Sequence, residues 1–129
     1  MGNNYLFRFR EFPVYQHGRQ FRLLVYRVSL KFPKAEVFGL TSQIRRAVNS
    51  ILLNIAEGSN RMTDQDFGRF LNLSVTSLEE VVACCDIALD ERYISAADHR
   101  IVLEQAELLG KQLIAFSAKL RKAGDGQKF

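Results

Sequence analysis

The sequence predicts an all-α protein, an antiparallel up-and-down four-helix bundle, and three observations carry that prediction. Apolar residues recur at three- and four-residue spacing in four separate segments, the connections between them are short, and no stretch alternates as a strand does. A chain of 129 residues makes one domain with room for a real core. With 47% hydrophobic and 25% charged residues and only two prolines, the composition is that of a folded chain and excludes disorder.

The bundle is expected over residues 13–122, after an N-terminal extension, 1–12, and before a polar C-terminal tail, 123–129. Pro13 suits a first helical turn, and the first helix runs to Phe32, where Pro33 stops it. Its core stripe is Val14, His17, Phe21, Leu24, Val25, Val28 and Phe32. After the connection KAEVFG, the second helix opens near Gly39 and buries Leu40, Ile44, Ala47, Val48, Ile51, Leu52 and Ile55. Gly58 suits the left-handed position past its end. Thr63 with Asp66 resembles a capping box opening the third helix, whose stripe runs from Phe67 through Leu78 to Leu89. Ser95 with Asp98 opens the fourth, which ends before Gly124.

These helices are apolar on more than one face. Tyr15, Leu23, Tyr26 and Leu30 form a second stripe on the first helix, and Leu53, Leu73, Ile87, Ile101 and Leu108 add to it elsewhere. Aligned outer apolar residues predict a protein contact surface, hence a homo-oligomer. Charge is uneven too. Residues 1–62 hold ten Lys and Arg against three Glu, a net +7, while the rest hold eight against eleven, a net −3. Such asymmetry suits an anionic partner, or the basic half of one subunit docked on the acidic half of another.

Several chemistries lack their residues. A di-iron carboxylate bundle needs glutamate three residues before histidine, but Val14 and Ala96 stand before His17 and His99. There is no closely spaced Cys/His cluster, glycine-rich phosphate loop or G-x-S-x-G turn, so neither metal, cofactor nor catalysis is expected. Cys84 and Cys85 are adjacent on a helix, where their side chains diverge by about 100°, and are expected reduced and buried. No apolar run approaches the roughly 20 residues that span a bilayer, and the first residues lack a secretory signal's apolar core. A cytoplasmic location is expected.

Two groups remain as candidate sites. Gln43, Arg46, Ser50, Asn54 and Glu57 recur at three- and four-residue spacing along one edge of the second helix. Ser50 and Asn54 are too short to reach water from a partly buried position, so they are expected to hydrogen-bond across to another helix. A buried polar seam fixing helix register is the simpler reading, and a ligand or nucleic-acid site the sharper one. Tyr15, Arg19, Arg22 and Tyr26 share a strip of the first helix, where aromatic and guanidinium groups could stack on bases and pair with phosphates, or serve a protein interface.

The stretch GLTSQIRRAVNSILLNIAEG, residues 39–58, resembles the pattern G-L-T-x-Q-x-R-R-A-x-x-S-I-x-x-N-I-A-E-G of a bacterial four-helix bundle family encoded in intervening sequences of 23S ribosomal RNA genes. The likeness extends over roughly residues 12–120, including Tyr15, Tyr26, Phe32-Pro33, Phe70-Leu71 and Ser77-Leu78 with Glu80. It departs at Leu52, where the family often has proline, and at Val75-Thr76, which replace a common Arg and Gly. The resemblance implies a four-helix bundle forming a ring-like homopentamer with no known catalytic activity. Relatives of that family include the accessory factor of diversity-generating retroelements, a basic pentamer that binds nucleic acid and the reverse transcriptase. The expectation is therefore a non-catalytic, oligomeric accessory protein that binds RNA or DNA. Arg19, Arg22, Arg45 and Arg46 are the expected contributors, with Arg8 and Arg10 as flexible additions. The competing expectation is a protein-interaction scaffold.

Overall fold

In the computed structural model, described for residues 6–127 with side chains through residue 123, four helices follow one another: α1 Pro13–Ser29, α2 Leu40–Ser59, α3 Asp64–Asp90 and α4 Ala96–Gln127. Single turns of 3-10 helix, Arg8–Glu11 and Lys34–Glu36, precede α1 and α2. No strand occurs among the described residues.

Each start and stop has a local cause. Pro13 occupies the first turn of α1, where its missing N–H costs nothing. The helix ends three residues before the predicted Phe32, because Lys31 and Phe32 donate to the carbonyls of Val28 and Ser29 in a tightened final turn. Phe32 stays buried nonetheless. At α2 the first turn is capped from outside, with Glu36 Oε1 accepting from the Leu40 N–H at 2.9 Å. Thr63 Oγ1 accepts from the Asp66 N–H and Ser95 Oγ from the Asp98 N–H, both at 3.1 Å, so α3 and α4 open at the caps their sequences predict. The fourth helix runs past Gly124, where the sequence placed its end, to Gln127. A glycine costs a helix only about 1 kcal/mol relative to alanine, which does not by itself stop one.

The left-handed cap expected at Gly58 is not there. Gly58 lies inside α2, buried, and no described glycine has positive φ. Its role is close approach: a Cβ there would stand 2.6 Å from Phe70 Cβ and 2.9 Å from Phe67 Cδ1. Instead, Arg92 with φ 60° provides the left-handed turn after α3. The Tyr93 N–H donates to the Ala88 carbonyl at 2.8 Å and the Arg92 N–H to that of Leu89 at 3.0 Å, which is a Schellman ending.

The helices form a closed square in which α1 and α3 each pack on α2 and α4 and the diagonals do not touch. Phe21, Val25, Ile44, Ile51, Ile55, Leu71, Val81, Val102, Leu109 and Leu113 fill the centre. Burying each aliphatic side chain contributes about 1.5–3 kcal/mol. Ser74, also fully buried, donates to the Ile51 carbonyl at 2.8 Å and so fastens α3 to α2 inside that core. His17, predicted in the core stripe, sits instead at the α1–α4 edge, with Nδ1 2.6 Å from Gln112 Oε1 and Nε2 3.1 Å from Gln105 Oε1. A neutral imidazole donates through one nitrogen and accepts at the other, so both are paired when one of the two amides turns its NH2 to the ring.

Cys84 and Cys85 are both free and buried. Burial pushes the Cys85 thiol up to about 12 and raises that of Cys84. Among the described residues no helix is long and apolar enough to cross a membrane, and no group of three or more His, Cys, Asp or Glu is placed to hold a metal ion.

Candidate functional site

Because α1 and α2 are neighbours, the half of the sequence with net charge +7 becomes one side of the bundle. Tyr26 is its structural centre. The Arg22 guanidinium lies over the Tyr26 ring at 4.1 Å from its centre and that of Arg45 at 4.5 Å. Two cations so close to one ring stand no more than about 9 Å apart, and their repulsion is offset by cation–π attraction of about 0.5–2 kcal/mol each.

Neutral groups hold both guanidiniums in place. Arg22 Nε donates to Asn49 Oδ1 at 2.7 Å, and Asn49 Nδ2 donates to the Tyr26 hydroxyl at 2.9 Å. Arg45 Nε donates to Ser29 Oγ at 2.9 Å, and Ser29 Oγ donates to the Tyr26 carbonyl at 3.0 Å. Charge is thus positioned without being neutralised. Among the described residues, Arg10, Arg19, Arg22, Arg27, Arg45 and Arg46 form no ion pair with a carboxylate. Two acids of this half are engaged elsewhere: Glu57 faces Arg61 at 3.7 Å, and Glu36 caps α2 and accepts from Tyr93. The Leu40 N–H and the Tyr93 hydroxyl together hold the Glu36 carboxyl below its ordinary range.

The predicted nucleic-acid residues thus fall into three groups. Arg22 and Arg45 are brought together on Tyr26. Arg10, Arg19 and Arg46 are exposed. Arg8 is not the flexible addition expected, because its Nη2 donates to the Ser59 carbonyl at 2.8 Å and its guanidinium lies over the rings of Phe12 and Phe67. It straps the N-terminal turn across the end of α2 and the start of α3.

The outer stripe of α1 divides in the same way. Leu23 and Leu30 are 57% and 74% exposed and free to meet a partner. Tyr26 is committed to α2, and Tyr15 packs edge-on against Phe9 at 4.9 Å. Along the second-helix edge, Ser50 Oγ accepts from Ser77 Oγ of α3 at 2.9 Å, the kind of cross-helix bond expected of Ser50. Asn54 differs from expectation. Its Nδ2 donates within α2, to the Ser50 carbonyl at 2.9 Å and to Ser50 Oγ at 3.0 Å, so it steadies the seam rather than crossing it. Gln43, Arg46 and Glu57, expected along the same edge, lie exposed and make no bond to another helix among the described residues, Glu57 facing Arg61 instead.

Sequence reasoning missed Asn49 and Phe38. Asn49 is outside the spaced polar series of α2, and Phe38 is one residue in a connection. Phe38 is 96% exposed and stands at an open groove of about 750 Å³ along α2.

A helical bundle with a cationic side, on which Lys31 and Arg61 have carboxylate partners and Arg10, Arg19, Arg22, Arg27, Arg45 and Arg46 have none among the described residues, is the architecture these residues define. The chain belongs to the 23S rRNA-intervening sequence protein family, whose model matches residues 10–115. A similar fold is found in the 1.70 Å crystal structure of a protein of unknown function from the S23 ribosomal protein family of Bacteroides thetaiotaomicron. The two superpose with a TM-score of 0.71 over 81% of this chain and 97% of that one, at 20% identity, which is a likeness of fold. No curated protein gives a significant match.

Proposed function

We propose that this protein is a non-catalytic, cytoplasmic accessory protein that assembles as a ring of identical subunits and binds RNA or DNA on its basic side. The observation that supports this reading is the row of α1 and α2 guanidiniums fixed by neutral partners, with no carboxylate of the described residues paired to them. An arginine oriented before binding loses less freedom on meeting a phosphate, and five copies at +4 each would carry +20 around one ring. Leu23 and Leu30 are the subunit contacts of this assembly. A reverse transcriptase is a protein partner consistent with such a role.

The test is a salt titration of binding to RNA, single-stranded DNA and duplex. Each phosphate neutralised on duplex should add about 0.9 to the magnitude of the log-log salt slope. An Arg19/Arg46 double-glutamine variant, with its assembly state verified, should flatten that slope without loss of helicity. No binding by the intact wild-type oligomer at low salt rejects the proposal and leaves a protein-interaction scaffold.

A further inference from the structure

Among the described residues, the groove along α2 joins an exposed aromatic ring to two arginines that have no ion-pair partner. It follows the outer strip of α2 from Thr41 to Leu53, about 18 Å at 1.5 Å per residue. Arg45, Arg46 and Asn49 line it, with Ser42 before them and Ser50 after them and no carboxylate among its lining residues. Phe38 closes the end nearest the α1–α2 connection.

The arginines are prepared in different ways. Arg45 spends its Nε–H on Ser29 and part of one terminal nitrogen on the Tyr26 carbonyl, 3.4 Å away, so its plane is fixed while other N–H groups of its five remain to be shared. Arg46 is exposed and has no ion-pair partner among the described residues. The aromatic surface is Phe38. Sequence spacing offered Tyr26 and Tyr15 for base stacking or, preferably, a protein interface, but Tyr26 already carries two guanidiniums and Tyr15 is covered by Phe9. Phe38 has no such cover.

We infer that this groove is the seat of single-stranded nucleic acid, in which Phe38 stacks on an unpaired base while Arg45 and Arg46 bind the adjoining phosphates. The inference rests on the nucleic-acid reading above and narrows it to single strands at one place. An aromatic platform beside a cationic track is what a strand with free base faces recognises, whereas duplex bases are already stacked and offer only phosphates. A second copy of this chain is the rival occupant. It is disfavoured because Thr41, Ser42, Arg45, Arg46, Asn49 and Ser50 outnumber the apolar Val37, Phe38 and Leu53 along it, Leu53 being the one residue of the outer apolar set that reaches the groove, and because the stripe of Leu23 and Leu30 lies on the side of Tyr26 turned from α2. Arg22 and Ser29 reach α2, and one residue further on the helix turns by about 100°.

The chain has no tryptophan, so Phe38→Trp places a single indole at the groove. A fully exposed position should accept it without loss of helicity or melting temperature. The probes are a fifteen-nucleotide oligouridylate, the matching oligothymidylate and a fifteen-base-pair duplex, all at low salt. Both single strands should quench the indole saturably. Phe38→Ala should weaken single-strand binding by about ten-fold, the loss of one base–aromatic stack, and leave duplex binding unchanged. Single-strand binding that leaves the indole unquenched and Phe38→Ala unaffected overturns the groove and spares the nucleic-acid reading. Absence of binding to all three probes by wild type overturns both. An indole already shielded from iodide before any oligonucleotide is added, with Phe38→Ala lowering the assembly state, assigns the groove to a second copy and overturns the inference.

Discussion

The Tyr93 hydroxyl donates to Glu36 Oε2 at 2.8 Å and so ties the connection between α3 and α4 to the connection between α1 and α2. Glu36 Oε1 accepts from the Leu40 N–H at the same time, so one carboxylate closes one end of the bundle and caps α2. The Leu40 N–H, then the Tyr93 hydroxyl, hold the Glu36 carboxyl below its ordinary range. A carboxylate with a depressed folded-state pKa stabilises above its unfolded value, and that contribution is lost as pH falls through the depressed one. Tyr93 behaves in the opposite sense. Its hydrogen bond to Glu36 raises it, so its contribution is present below the ordinary tyrosine range and is lost as pH rises through the raised value. In Tyr93→Phe, the Glu36 carboxyl followed by NMR should titrate closer to its ordinary range, with a residual depression from Leu40. An unchanged titration would show that the contact is absent in solution.

Gly58 and Gly110 should respond oppositely to alanine. At Gly58 the new Cβ meets Phe70 Cβ at 2.6 Å, and overpacking of about 1–3 kcal/mol should outweigh the gain in helix propensity of about 1 kcal/mol. At Gly110 the nearest atom is Leu78 Cδ2 at 3.3 Å, the far end of a side chain that need give by only a few tenths of an ångström, so Gly110→Ala should stabilise by about 0.5–1 kcal/mol. Urea midpoints decide, and equal midpoints for the two variants would refute the close-approach account.

Asn49→Leu removes the acceptor of Arg22 Nε and the partner of the Tyr26 hydroxyl together, a loss of about 1–3 kcal/mol by chemical denaturation. Asn49→Asp keeps the acceptor and puts a carboxylate against the Arg22 guanidinium. It should retain the fold yet weaken oligonucleotide binding at low salt. Binding as tight as wild type would mean that the Tyr26 network takes no part in it.

Leu23→Glu with Leu30→Glu should lower the assembly state in sedimentation while far-UV circular dichroism stays unchanged, because both side chains already face outward. A wild-type chain that sediments as a monomer at micromolar concentration removes the basis of this prediction and of the ring.

The two thiols should stay inert toward a disulfide reagent in the native protein at neutral pH and react together on unfolding. Burial disfavours both thiolates, and Cys85 is pushed up to about 12. Rapid labelling of the folded chain would show that the α3 face opens far more often than its packing suggests.

Local features were legible in the sequence and non-local ones were not. Pro13, Thr63 and Ser95 open helices through contacts within three residues, so their roles could be read along the chain. Gly58 was misassigned because a glycine that ends a helix and one that lets a neighbouring helix approach look alike until Phe67 and Phe70 are placed against it. A cross-helix bond from Ser50 was predicted, but its partner Ser77 lies 27 positions away and periodicity could not name it. Arg22 and Asn49, equally far apart, meet only because α1 and α2 are adjacent. That same packing turned Tyr26 from a candidate outer contact into the centre of the cationic side and left Phe38, a residue with no pattern to mark it, uncovered.

The square of helices is not equally tight on all sides, since α3 joins α2 and α4 far more extensively than α1 does. In native-state amide exchange, α1 should therefore behave as a separate cooperative unit, opening from a persistent α2–α3–α4 core at a lower free energy than global unfolding. Its guanidinium row would open with it. Subunits docking on Leu23 and Leu30 would then register as slower exchange along the whole of α1, including amides away from the residues that the partner itself touches.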